Sequence, residues 1–243
     1  MSRLDENKPQ PTARKHFRFF DLPSEIRLCI YEMVLLIPGR TLDLDPSNYI
    51  SILPRLRCLL VSRQMHDEAY RVFYGSYPVR LFPIHGRFFN TKKPLLMRMG
   101  PRYRAAMTTL DLRLGPGWGA PPRCQHTDKS LGLAECVSVR VLKIFVEIDP
   151  SGAIFHGFRG KGKDEHSYKL FCVDILRGVI AQVPSLEVVE IDAYPSVNRD
   201  SPLVVALVRE VERAGKKLVW SGDEQSGLWS DSGLEAKMAG MRL

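Results

Sequence analysis

Leu142-Lys143-Ile144-Phe145-Val146-Glu147-Ile148 decides the fold. Leu142, Ile144, Val146 and Ile148 recur at every second residue, the period of a strand with one buried face. Phe145 falls between Lys143 and Glu147 on the opposite face. Working outward, similar apolar runs occur at 79–82, at Leu110, Leu112 and Leu114, at 186–191 and at 218–220. Between the runs at 142, 186 and 218 the period changes: Tyr168, Phe171, Ile175, Val179 and Val183 keep helical spacing, as do Val204, Leu207, Val208 and Val211. Strand, helix and strand at these lengths predict right-handed crossovers and a mainly parallel sheet.

The comparable leucines suggest a repeat. Leu110 to Leu142 and Leu186 to Leu218 are each 32 residues apart, whereas Leu142 to Leu186 is 44, with 149–166 as the evident insertion. An irregular array without an asparagine ladder reads as leucine-rich-repeat-like, a short curved sheet backed by helices. Asp111 and Arg113 would share the alternate face with Lys143, Phe145 and Glu147. These five form the candidate substrate face, since aromatic and arginine side chains dominate protein recognition. Helices on both faces would reduce it to core.

Upstream of Gly75 the pattern is helical. Leu22, Ile26, Cys29, Ile30, Met33, Val34 and Ile37 form one apolar stripe, with Asp21 as its cap, Pro23 in the first turn and Glu25 at the positive end of the helix dipole. Pro38 and Gly39 stop it. A second helix is expected to carry Leu53, Leu56, Leu59 and Leu60; Ser62 caps a third, with Met65, Ala69, Val72 and Phe73 inward and Gly75 as its terminator. The fold class is therefore mixed, α+β or α/β: a three-helix module at 17–75, then a strand-helix sheet at 76–220 with a flexible insertion at 150–166. Polar, aperiodic tails at 1–16 and 221–243 are expected to be disordered.

Two blocks of the helical region have a familiar look. Phe20-Asp21-Leu22-Pro23-Ser24-Glu25-Ile26-Arg27 with Ile30-Tyr31-Glu32 is the first. Leu59-Leu60-Val61-Ser62-Arg63-Gln64-Met65 with Glu68-Ala69 and Val72-Phe73-Tyr74-Gly75 is the second. Together they resemble the divergent F-box-like module common among filamentous fungi, a paired match over roughly sixty residues and more specific than a lone leucine-proline. The resemblance implies an adaptor: F-box helices dock on a Skp-type subunit of a cullin ubiquitin ligase, while the C-terminal region holds a protein substrate. Carried over position by position, Leu22, Pro23 and Ile26 face the Skp-type partner and Ile30 is shared with the core. Tyr31 stands where an aliphatic residue is frequent, and the tryptophan found late in many F-boxes has no counterpart near Phe73.

Charge offers an alternative function. No acid lies between Glu68 and Asp111, while Arg71, Arg80, Arg87, Lys92, Lys93, Arg98, Arg102 and Arg104 supply the whole surplus behind the net charge of +8. A patch of Arg87, Lys92, Lys93, Arg98, Arg102 and Arg104 would attract a polyanion and make this a nucleic-acid-associated protein. The competing reading pairs these cations with acids elsewhere in the fold.

Other classes are excluded by what the chain contains. Hydrophobic residues at 44% and charged residues at 26% describe a globular protein. No apolar run approaches the ~20 residues of a membrane helix. Residues 1–16 carry Asp5 and Glu6 where a signal peptide has its apolar centre, so an intracellular location, cytoplasmic or nuclear, is expected. Cys29, Cys58, Cys124, Cys136 and Cys172 form no CxxC pair, and no HExxH occurs, so neither a disulfide framework nor a metal site is expected. Gly157-Phe158-Arg159-Gly160-Lys161-Gly162-Lys163 fits seven places of a phosphate-binding loop, but Asp164 stands where a hydroxyl should reach magnesium. With no GxSxG and no nucleophile beside a base, the chain reads as non-enzymatic and without a cofactor.

Overall fold

The computed structural model describes residues 17–84, 93–115, 126–149 and 167–221. Three helices, α1 (Ser24–Leu35), α2 (Pro46–Ile52) and α3 (Arg63–Ser76), precede a five-stranded sheet. Its strands are β1 (Val79–Arg80), β2 (Thr109–Leu114), β3 (Val141–Val146), β4 (Val188–Ala193) and β5 (Lys217–Trp220). All neighbours are parallel and lie in chain order. Consecutive parallel strands joined by crossovers of one hand put every connection on the same side of the sheet. On that side lie α4 (Leu95–Arg98), α5 (Pro101–Ala106), α6 (Ser167–Gln182) and α7 (Pro202–Arg213).

Alternation along the strands follows from this one-sided cover. Leu110, Leu112, Leu114, Leu142, Ile144, Val146, Val189 and Ile191 are buried, while the residues between them are partly open or exposed. The helices supply the other half of the core through Tyr168, Cys172, Ile175, Leu176 and Val179 on α6 and Leu203, Val204, Leu207 and Val211 on α7. Asp149, just beyond β3, accepts the Leu203 backbone N–H at 2.9 Å and so satisfies a donor at the start of α7.

Register corrects the repeat read from leucines. Leu142 pairs with Val189, not Leu186, which is buried in the turn before β4. Following the pairs from Val79 to Leu110, Leu142, Val189 and Leu218 gives steps of 31, 32, 47 and 29 residues. The unequal steps absorb connections of different length, because the sheet fixes which residues pair and not how far apart in sequence they lie.

The helical region differs from expectation in three respects. First, α1 is rotated: Tyr31 and Leu35 are 2% and 0% exposed, whereas Ile26 and Met33 are 42% and 69% exposed, and Cys29 and Val34 are also open. Most of the expected stripe faces outward, leaving Leu22 and Ile30 half-buried, Ile37 packed against the core and Pro23 exposed. Second, no single helix carries Leu53 to Leu60. Pro54 cannot donate into a helix and restricts the residue before it, so α2 ends at Ile52 and a 3-10 turn takes Arg55–Leu60. Leu56 and Leu59 pack against the core while Leu53 and Leu60 remain exposed. Third, the caps shift. Asp21 ends a 3-10 turn, Pro23 is the residue before α1, and Gly75 lies within α3, which ends before Tyr77. Ser62 caps α3 as expected, accepting the Met65 N–H at 3.1 Å.

These helices are stitched to the sheet. Leu42 bridges to Val79 beyond β1, with Leu42 N–H donating to Pro78 at 2.8 Å and Arg80 N–H donating to Leu42 at 2.9 Å. Tyr77 donates from its hydroxyl to the Leu35 carbonyl at 3.1 Å, and Thr108 donates to the Gly75 carbonyl at 2.5 Å. One continuous core results, running from Tyr31 through Phe73 and Val79 to Val211. The segments 1–16, 150–166 and most of 221–243, with the glycine-lysine loop, lie outside the described residues, as do Arg87 and Lys92. Among the described residues no helix is long and apolar enough to cross a membrane.

Candidate functional site

The face of the sheet opposite the helices gathers all five residues of the candidate substrate face. Strand register places Arg80, Asp111, Lys143 and Glu190 in one row, and Arg113, Phe145 and Asp192 in the next. Alternating charge along the first row gives cross-strand pairs: Arg80 Nε is 3.3 Å from Asp111 Oδ1 and 3.5 Å from Asp43 Oδ2, and Lys143 Nζ is 3.1 Å from Glu190 Oε2. Arg113 pairs with Glu147 and lies over the Phe145 ring at 5.0 Å, while Phe145 meets Tyr194 edge-on with centroids 5.2 Å apart.

Arg80 is the most enclosed member. Its Nε and Nη1, and Asp111 Oδ1, are buried and make no aligned hydrogen bond, so these charges are held by proximity. Burial pushes the Asp111 carboxyl up, with Arg80 and Arg113 opposing the shift. Arg80, Asp43, Glu190, Asp192 and Tyr194 belong to this surface but not to the set read from sequence. Period-2 spacing along β1 and β4 carries the signal for Arg80, Glu190 and Asp192; Asp43 arrives only through the Leu42 bridge.

A second surface lies on the N-terminal helices. The two sequence blocks meet where Arg27 grips Glu68 with both Nε and Nη2, at 2.9 and 2.8 Å. Tyr31 donates to the same carboxylate at 3.1 Å, and Arg27 Nη1 donates to the Leu22 carbonyl at 2.5 Å. The Arg27 guanidinium holds the Glu68 carboxyl below the usual range, while desolvation, aided by the bond to Glu68, pushes the Tyr31 phenol up to about 12. This clamp fixes α1 against α3 through one side of α1. The other side, with Ile26, Cys29, Ile30, Met33 and Val34, is left outward or half-buried.

The basic segment is divided. Arg80 and Arg104 are buried against acids, Arg104 with Glu135 at 2.8 Å, and Arg102 pairs with Asp67 while lying 4.3 Å over the Tyr70 ring. Arg71 Nε donates to the Tyr70 hydroxyl at 3.2 Å. Of the polyanion patch, Lys93, Arg98 and Arg102 are exposed, and Arg98 donates to the Lys93 carbonyl at 2.8 Å. Among the described residues no group of three or more His, Cys, Asp or Glu is placed to hold a metal ion. The chain matches no protein-family model, no curated protein and no solved structure.

Proposed function

We propose that this protein is a non-enzymatic interaction adaptor: the N-terminal helices dock on a Skp-type subunit of a cullin ubiquitin ligase, and the open sheet face holds a protein substrate. One observation carries the reading. Among the described residues twelve large apolar side chains are exposed, and nine of them belong to 17–61: Phe17, Ile26, Leu28, Met33, Val34, Ile50, Leu53, Leu60 and Val61. Single exposed apolar residues are ordinary, whereas such a concentration marks a partner surface. Pro23 and Leu22 lie at the start of α1, and Ile26 one turn on, where the resemblance to F-box-like modules puts the Skp-type contacts.

The test is a pull-down with purified Skp-type protein, with circular dichroism of each variant. Leu22→Ala with Pro23→Ala should weaken retention, since interface anchors are worth about 1–2 kcal/mol each, roughly tenfold or more in affinity. Ile26→Asp with Met33→Asp should abolish it while leaving the helices folded, because both side chains already face water. A well-folded wild type that is not retained at micromolar concentration ends the Skp-type reading.

A further inference from the structure

The open sheet face is unevenly charged. From the middle of the strands to their C-terminal ends, Arg80 is matched by Asp43 and Asp111, Arg113 by Glu147, and Lys143 by Glu190. Asp192 remains. It is exposed, its carboxylate accepts the N–H of its own neighbour Ala193 at 2.8 Å, and among the described residues no cation is paired with it. Among the described residues five carboxylates therefore stand against three cations here, in a chain whose net charge is +8. Lys217, on the same face beside Val188, lies at the opposite end of the strands.

Beside Asp192 stands an aromatic pair. Phe145 is its direct cross-strand partner, and Tyr194, 47% exposed, continues the row of alternate residues past β4, its N–H held by Val146 at 3.0 Å. Arg113 already lies over Phe145 as a cation over a ring, but Tyr194 is open. The geometry points to a cation-recognition site at Asp192, Phe145 and Tyr194, whose occupant is an extended polypeptide segment carrying lysine or arginine. Its cationic side chain lies against the Tyr194 ring with its head on the Asp192 carboxylate, combining cation–π attraction with a charge pair at a rim that water still reaches. The fixed ion pairs around it keep the neighbouring charges from reorganising. This assignment names the substrate class of the sheet face, and so rests on that part of the adaptor reading, but not on Skp-type docking.

Fluorescence anisotropy with the full chain and a labelled decapeptide of alternating lysine and serine tests it, beside a matched glutamate-serine peptide. The lysine peptide should bind more tightly than the glutamate peptide, and Asp192→Asn or Tyr194→Ala should weaken it about fivefold or more. Asp174→Asn removes an exposed carboxylate of α6 and should leave affinity unchanged; equal losses in the Asp174 and Asp192 variants would reduce the effect to bulk charge and overturn the site. Both carboxylates are exposed, so their substitution leaves the fold intact, which circular dichroism checks. Preference for the glutamate peptide, lost on Lys143→Ala, would keep the sheet face as a partner surface and overturn its cationic assignment. Binding of neither peptide would overturn the assignment and remove the support the face lends to substrate binding.

Discussion

At the residue scale, Leu35 and Met33 are two positions apart on α1 and belong to opposite environments. Leu35→Ala opens a cavity in the buried cluster that also holds Tyr31, Phe73 and Tyr77, and should cost about 2–5 kcal/mol. Met33→Ala removes a side chain already in water and should change stability by no more than about 0.5 kcal/mol. Urea denaturation of the pair checks the rotation of α1: comparable losses would put the outward face inside. Glu68 carries a second prediction, in pH. Because Arg27 depresses its pKa in the folded state, the stabilisation it provides is complete above its ordinary value of 4.5 and is lost as pH falls through the lower, folded value. Glu68→Gln should therefore melt lower at neutral pH and show a shallower acid limb, with the two proteins converging at low pH. Parallel melting curves across that window would mean that the clamp does not discriminate the charged form.

Among the elements, α6 owes its position to one glycine. A Cβ at Gly178 would lie 1.9 Å from Thr127 Oγ1 and 2.7 Å from its Cβ, since the chain leading to β3 crosses α6 in direct contact. Gln182, one turn further, donates to the Thr127 carbonyl. Propensity alone favours alanine by about 1 kcal/mol in a helix interior. Here overlap opposes it, and Gly178→Ala should be destabilising by roughly 1–3 kcal/mol, with Thr127→Gly restoring part of the loss. A stabilised single variant would show that the crossing segment yields. The sheet elements were legible because period-2 spacing and one-sided burial are the same fact seen twice, in Leu110, Leu112 and Leu114 as in Leu142, Ile144 and Val146. The face of α1 was not. Arg27, Tyr31 and Leu35 stand four residues apart, but a stripe led by arginine ranks below the apolar one until Glu68, distant in sequence, supplies the charge that buries it. Likewise Phe145 and Asp111 could be placed on one face by alternation, whereas their partnership with Tyr194 and Asp43 depends on where chain beyond the strands returns.

For the molecule as a whole, the continuous core determines how it comes apart. Residues 17–76 alone would form a small helical unit, and small units bury too little surface to be very stable. Their buried side chains Tyr31, Leu35, Leu42, Ala69 and Phe73 instead join the cluster that includes Tyr77, Val79 and Leu81, so the helices and the first strand share contacts that neither keeps alone. A chain built this way should unfold as one cooperative unit. The three tryptophans, Trp118, Trp220 and Trp229, all follow β2 in sequence, so fluorescence reports the C-terminal part while far-ultraviolet circular dichroism also registers α1 to α3. In urea the two signals should share one midpoint. Leu35→Ala, made in α1, should move both by the same amount, because the destabilisation spreads through the shared core. A fluorescence transition that stays in place while the dichroism transition shifts would show two units folding separately, with the Leu42 bridge and the Tyr77 hydroxyl too weak to couple them.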